Sequence, residues 1–155
     1  MEDRVQKAVT LFKDGFNCSQ SVFAAFADIY GLTFDQSLLI SSSFGGGIGR
    51  MRETCGAACA LFLLAGLETG SINPKDRECK IANYKFVQEL ADIFRKRNGA
   101  LKCSDLLKLK ENSCTSPIPD ERTPQYYAKR PCVRIIEAAS EIWNSYLTER
   151  TEDKE

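Results

Sequence analysis

Apolar positions recur at helical spacing along most of this chain. Val5, Ala8, Val9 and Phe12 mark an amphipathic helix over Arg4 to Lys13, and Gly15 is its stop signal. Asn17, a natural N-cap, precedes a second helix that starts at Cys18, presents Val22, Phe23, Phe26 and Ile29 with the small Ala25, and ends at Gly31. Thr33 caps a third, Phe34 to Ser43, bearing Leu38, Leu39 and Ile40. A fourth, from about Thr54 to Leu67, is small and apolar. Asn73-Pro74 pairs an N-cap with proline at the first helical position and predicts a fifth helix, Pro74 to Arg97, with Gly99 as its stop. Its apolar positions are Ile81, Tyr84, Phe86, Val87, Leu90, Ile93 and Phe94. Cys103 to Leu107 forms a short sixth helix. Pro131 to Leu147, with Val133, Ile135, Ile136, Ala139, Ile142, Trp143 and Tyr146, forms the last. Glu111 to Pro124 holds three prolines and reads as a surface loop. No alternating strand and no internal repeat interrupts the pattern. The expectation is an all-α fold, an irregular bundle of six to seven helices in one domain over residues 1–150, with a charged, frayed tail over 151–155.

One stretch breaks the periodicity. Gly45, Gly46, Gly47 and Gly49 put four glycines in five positions, which suits neither a helix interior nor a packed strand. The run reads as a turn that delivers Cys55 to the start of the apolar fourth helix. A thiol there meets the positive end of the helix dipole and unpaired backbone N–H groups, which favour thiolate over thiol.

Composition narrows the function classes. Lys+Arg and Asp+Glu are balanced at 21 each in 155 residues, so no basic footprint for nucleic acid or a membrane surface is present. The longest apolar run, Cys55 to Leu67, is too short to span a bilayer. Met1-Glu2-Asp3-Arg4 opens with acids and leads into no apolar signal region, which points to a cytoplasmic protein. In that compartment seven cysteines argue for metal or redox chemistry rather than structural disulfides. Histidine is absent, so Cys–His catalysis and His-containing metal sites are excluded.

Four cysteines share a placement. Cys18, Cys55, Cys103 and Cys132 each fall at or near a predicted helix start, and helix starts gathered at one end of a bundle would bring their thiols together. A single free cysteine is more often a small buried hydrophobe; four in the same placement, without histidine, point to a site. Cys59, four residues after Cys55, reads as a core residue or as a partner thiol on the same helix face. Cys79 reads as incidental in a charged helix, and Cys114 as exposed in the polar loop. No Cys-x-x-Cys, zinc-ribbon or ferredoxin spacing is present, so a four-sulfur site would be assembled by tertiary structure. The Gly45 to Arg50 run as a phosphate cradle is a weaker reading, because it lacks the Gly-Lys-Ser/Thr ending of a P-loop. Arg52 and Glu53 beside Cys55 would tune its proton affinity in opposite directions. Tyr126, Tyr127 and Trp143 read as core or interface aromatics.

The motifs Asn17-Cys18-Ser19-Gln20, Phe44-Gly45-Gly46-Gly47-Ile48-Gly49-Arg50-Met51, Glu53-Thr54-Cys55-Gly56-Ala57, Cys103-Ser104-Asp105-Leu106-Leu107 and Pro131-Cys132 resemble one family. It is the bacterial and archaeal family of redox-active proteins named for its C_GCAxxG_C_C pattern. The resemblance runs from Cys18 through Cys132 and implies that the family's four cysteines fall on Cys18, Cys55, Cys103 and Cys132. The motif's last glycine is Ala60 here, and Cys59 is extra to the pattern.

Two mechanisms fit this set equally. In one, the four thiolates ligate an iron–sulfur cluster and the protein carries electrons. In the other, no cofactor is used, and a low-pKa thiolate at Cys55 attacks a disulfide or oxidant while a second cysteine resolves it. The partner would be a redox protein or a small oxidant. The rival classes are a Zn²⁺-binding module on the same four thiolates, and a structural bundle with reduced buried cysteines, dimerising through the Trp143 helix.

Overall fold

A computed structural model describes residues 2–110 and 115–155. Cys114, and with it part of the expected loop from Glu111, lies outside the described residues. Eight α-helices occur among them: α1 Arg4–Lys13, α2 Cys18–Phe26, α3 Phe34–Ser41, α4 Gly56–Thr69, α5 Arg77–Asn98, α6 Cys103–Leu106, α7 Pro124–Lys129 and α8 Cys132–Glu152. Short 3-10 turns, Ala27–Tyr30 and Ser42–Phe44, extend α2 and α3. The described residues form no strand, only an isolated antiparallel bridge between Thr54 and Lys102. The all-α single bundle expected from periodicity is the fold.

The apolar α4 is the axis. Ala57, Ala58, Ala60, Leu61, Leu64 and Ala65 are all fully buried, so this apolar helix is enclosed over most of its length and reaches solvent toward its end, at Gly66 and Leu67. It packs against α2, α5 and α8, while α1 closes the bundle against α2 and α8. Its alanines let α2 approach closely and bring Phe23 and Phe26 into the core beside Phe94, Ile136 and Trp143. Each such large side chain contributes about 1.5–3 kcal/mol on burial. Trp143 is fully buried and belongs to the core.

Several expectations are corrected. Asn73 does not cap α5: its side chain accepts from the Lys75 amide in a local turn, and Asp76 caps instead by accepting from Cys79 N at 3.0 Å. The helix therefore begins at Arg77, three residues late. No helix is expected between the loop ending at Pro124 and Pro131, yet Thr123 caps α7 there, with Pro124 at its first position. The charged tail stays helical to Glu152, where α8 ends. The third helix buries Ser37 and Ser41 and leaves Leu39 and Ile40 exposed, the reverse of its apolar pattern. The two serines can be buried because each satisfies its hydroxyl on its own helix, Ser37 on Phe34 O and Ser41 on Ser37 O, both at 2.6 Å.

Candidate four-cysteine site

Each of the four singled-out cysteines sits where a helix begins. Cys18, Cys103 and Cys132 are the first residues of α2, α6 and α8, and Cys55 is the N-cap of α4. The start of α2 is fixed by a reciprocal cap: Asn17 Oδ1 accepts from Gln20 N at 2.9 Å, and Gln20 Oε1 accepts from Asn17 N at 3.1 Å. Asn17 also donates to Ser42 O, which ties Cys18 to the segment entering the glycine run. Cys55 and Cys103 are joined through the backbone. On either side of the Thr54–Lys102 bridge, Cys55 N donates to Leu101 O at 2.8 Å and Cys103 N to Glu53 O at 2.6 Å. Pro131 precedes Cys132 and limits how the chain enters α8.

The glycine run winds the wrong way. Gly46, Gly47, Ile48, Gly49 and Arg50 all have φ between 59° and 73°, a left-handed turn, and Arg52 follows at 61°. Left-handed geometry costs roughly 1–2 kcal/mol for each residue with a Cβ. Glycine removes that cost at three of the six positions; Ile48, Arg50 and Arg52 retain it. The amides of residues 48 to 53 all donate to backbone carbonyls within the loop, as in Gly49 N to Ser43 O at 2.8 Å and Glu53 N to Gly47 O at 2.9 Å. Those amides are spent within the loop, so a phosphate would find none of them free.

Its function is close approach. A Cβ on Gly47 would stand 2.5 Å from Cys103 Cβ, and one on Gly56 would stand 2.5 Å from Cys18 Sγ and 2.7 Å from Phe44 O. Neither contact is sterically tolerable. Glycine at 47 and 56 thus lets Cys103 and Cys18 press against the start of α4. The result is one cavity of about 70 Å³ lined by Cys18, Cys55, Cys103 and Cys132 together. The structure brings all four together. Cys59 is buried behind them, its thiol 3.8 Å from Thr54 O, and is absent from the lining. Cys79 lies away from it, its thiol donating to Thr69 O at 3.2 Å near the far end of α4. Among the described residues, no three or more cysteine, aspartate or glutamate side chains are grouped to hold a single metal ion.

Burial dominates the thiol chemistry. It pushes the Cys55 thiol well above its ordinary range, and the Cys18 charge adds to that; the Ala57 and Ala58 amides oppose the shift without overcoming it. The helix-start argument for a low-pKa Cys55 is therefore overturned: the amides are present, but desolvation outweighs them. Burial likewise raises Cys18, against the Gly46 amide, and pushes Cys132 up to about 11 and Cys59 up to about 12.

Around the sulfurs stand arginines, of which the sequence pointed only to Arg52, as a neighbour of Cys55. Arg52 Nη1 donates to Cys103 Sγ at 3.7 Å. Arg130 and Arg122 offset part of the rise at Cys132. Arg122 is clamped by Phe12 O at 2.8 Å and Phe16 O at 2.9 Å, and lies over the Phe12 ring at 4.2 Å. Arg130 lies over Tyr126, 4.7 Å from the ring centroid. The adjacency Arg130-Pro131-Cys132 was the available signal for one of them; Arg122 reaches the cavity only through folding of α7.

An all-α bundle with four helix-start cysteines on one buried, arginine-flanked cavity is a cysteine-site protein of the redox type. The chain belongs to the family described as "Putative redox-active protein (C_GCAxxG_C_C)", whose model matches residues 16–146. Comparison with the curated proteins and with the solved structures found no match. Among the described residues, no helix is long and apolar enough to cross a membrane.

Proposed function

We propose that this protein carries electrons through an iron–sulfur cluster held by the thiolates of Cys18, Cys55, Cys103 and Cys132. The observation that carries the reading is the single buried cavity lined by all four. The donor set fits the group: four cysteines, no histidine, and no carboxylate among the lining residues. When bound, the cluster would supply one-electron transfer at a potential set by its surroundings. The chain's part is to exclude water and balance charge. Burial that keeps free thiols protonated disables a nucleophile more than a ligand, since coordination drives the thiol proton off. Arg52, Arg122 and Arg130 would offset the negative charge of a four-thiolate centre. A tetrahedral zinc site would gather its sulfurs about 2.3 Å from one point. Four sulfurs spread around a cavity support a larger centre.

One observation favours the thiol/disulfide reading. The Arg52 guanidinium donates to Cys103 Sγ, which puts that sulfur in direct contact with a cation. In that mechanism Cys103 attacks a partner disulfide and a second cysteine of the set displaces the mixed disulfide. The partner leaves as dithiol and this chain keeps the disulfide.

The test is metal and acid-labile sulfide analysis of anaerobically purified protein, with its visible absorbance, beside Cys55→Ser. Iron and sulfide in the native protein, lost in the variant, is the expected result. Stoichiometric zinc without colour supports the metal module. Metal-free protein in which oxidation removes thiols in pairs supports dithiol chemistry. Either of the last two overturns the cluster.

A further inference from the structure

Outside the cysteine cavity, a groove of about 420 Å³ runs between the glycine loop and the segment 116–122. Cavity and groove share Asn17, Gly46, Arg52, Arg122, Tyr126 and Arg130, so the two lie side by side. Four guanidiniums line the groove, those of Arg50, Arg52, Arg122 and Arg130. Asp120 is the only carboxylate among its described lining residues. It takes contacts from three of them: Arg50 Nη2 at 3.2 Å, Arg52 Nη2 at 3.7 Å, and Arg130.

The proportions decide the argument. These arginine side chains are only 11–25% exposed, so water compensates their charge poorly, and one carboxylate cannot neutralise four cations. Their forks nevertheless converge, because Asp120 already draws three onto itself. Asp120 is the more exposed partner, at 41%, and sits on a proline-flanked segment with no helix of its own. It occupies the position an incoming anion would take. The amides of residues 48 to 53 contribute nothing, since they are bonded within the loop.

We propose that this groove is a binding site for a compact anion, a small oxyanion or a small carboxylate. Arg50, Arg52 and Arg130 hold the anion, and Asp120 acts as the tethered carboxylate that it displaces. The groove shares a wall with the four-cysteine cavity, so an anion bound there stands beside it. The binding itself stands on the arginines and not on what the cysteines hold.

The experiment titrates the protein with inorganic phosphate and, separately, with succinate, against a chloride control of equal ionic strength. The readout is amide and arginine Nε–H signals in proton–nitrogen NMR spectra. Saturable shifts at Arg50, Arg52, Arg130 and residues 116–122 are expected with at least one probe. Phosphate alone assigns a tetrahedral oxyanion, and succinate alone a carboxylate. Asp120→Asn should tighten binding about fivefold or more, because a tethered competitor is weakened. Arg50→Lys, which keeps the charge and loses the fork, should weaken it about fivefold. The proposal is overturned if neither probe gives saturable shifts in the native protein or in Asp120→Asn. It is equally overturned if chloride reproduces the shifts, or if Asp120→Asn weakens binding. Iron content of the same samples reports on the cysteine site separately, so the two proposals fail independently.

Discussion

Helices α4 and α8 begin at the sulfurs and end at a second arginine–carboxylate cluster, about 20 Å away along the 14 residues of α4. At that far end Glu68 is met by Arg150 at 2.6 Å and accepts from Tyr30 Oη at 2.6 Å. One carboxylate, one guanidinium and one phenol satisfy each other, and the Glu68 side chain is only 11% exposed. At the near end one carboxylate serves a groove lined by four guanidiniums. The far cluster is closed, with its charges matched. The near cluster carries surplus positive charge beside buried sulfur. Stability explains the first; the second has capacity left for something outside the chain.

The largest effect should come from removing the near end's close approach. Gly47→Ala would meet both a φ of +73° and the Cys103 Cβ, whereas Gly31→Ala meets a φ of +80° with no atom within 4 Å. Urea denaturation should show a loss of about 3 kcal/mol or more for the first and about 1–2 kcal/mol for the second. Equal losses would mean that the cysteine contact imposes nothing. Next in size is the far end: Glu68→Gln should cost about 2 kcal/mol, since Arg150 loses its charge partner.

The pH response should separate the ends further. Burial opposes ionisation of Glu68, but Tyr30 and Arg150 outweigh it and hold its carboxyl below the ordinary range. Its contribution is present above that range and is lost as pH falls through the folded value; Glu68→Gln should flatten this acid limb. The thiols have the opposite sign. The folded pKa values of Cys18, Cys55, Cys59 and Cys132 are raised, so in reduced, metal-free protein their contribution is whole below the ordinary thiol range. It is lost as pH rises through the folded values, about 11 for Cys132. Unfolding followed between about pH 8 and pH 10 should show a loss of at least about 1 kcal/mol, smaller in Cys132→Ser. A flat profile would mean that the thiols are not desolvated. The smallest effect belongs to neither end: Leu39→Gln on the exposed face of α3 should stay within about 0.5 kcal/mol by the same urea assay.

Much of this was legible in the chain because local rules and packing agreed. Asn17 and Thr33 cap where their side chains suggest, and the four cysteines stand at helix starts as their neighbours imply. The failures come where one rule had two solutions. Asn73-Pro74 and Thr123-Pro124 carry the same signature, but only the second starts a helix, because Asp76 is a competing cap for α5. Leu39 and Ile40 of α3 face water, while its buried serines close their own hydrogen bonds. The thiol state was misjudged because helix-start amides are visible in sequence and desolvation is not. Arg122 and Arg130 were missed because they join Arg50 and Arg52 around Asp120 only in the folded chain.

The four sulfurs come from positions 18, 55, 103 and 132, so nearly the whole chain lies between the first and the last. Any bond that links them, whether through a shared centre or directly, closes loops of tens of residues. By chain-entropy reasoning each such closure restricts the unfolded ensemble by on the order of 3–4 kcal/mol. A small domain's entire stability is about 5–15 kcal/mol. The chemical state of the cavity would therefore also set how long the molecule survives: emptying or reducing it cuts the staples, and the lifetime of the fold becomes a record of its last electron or ligand.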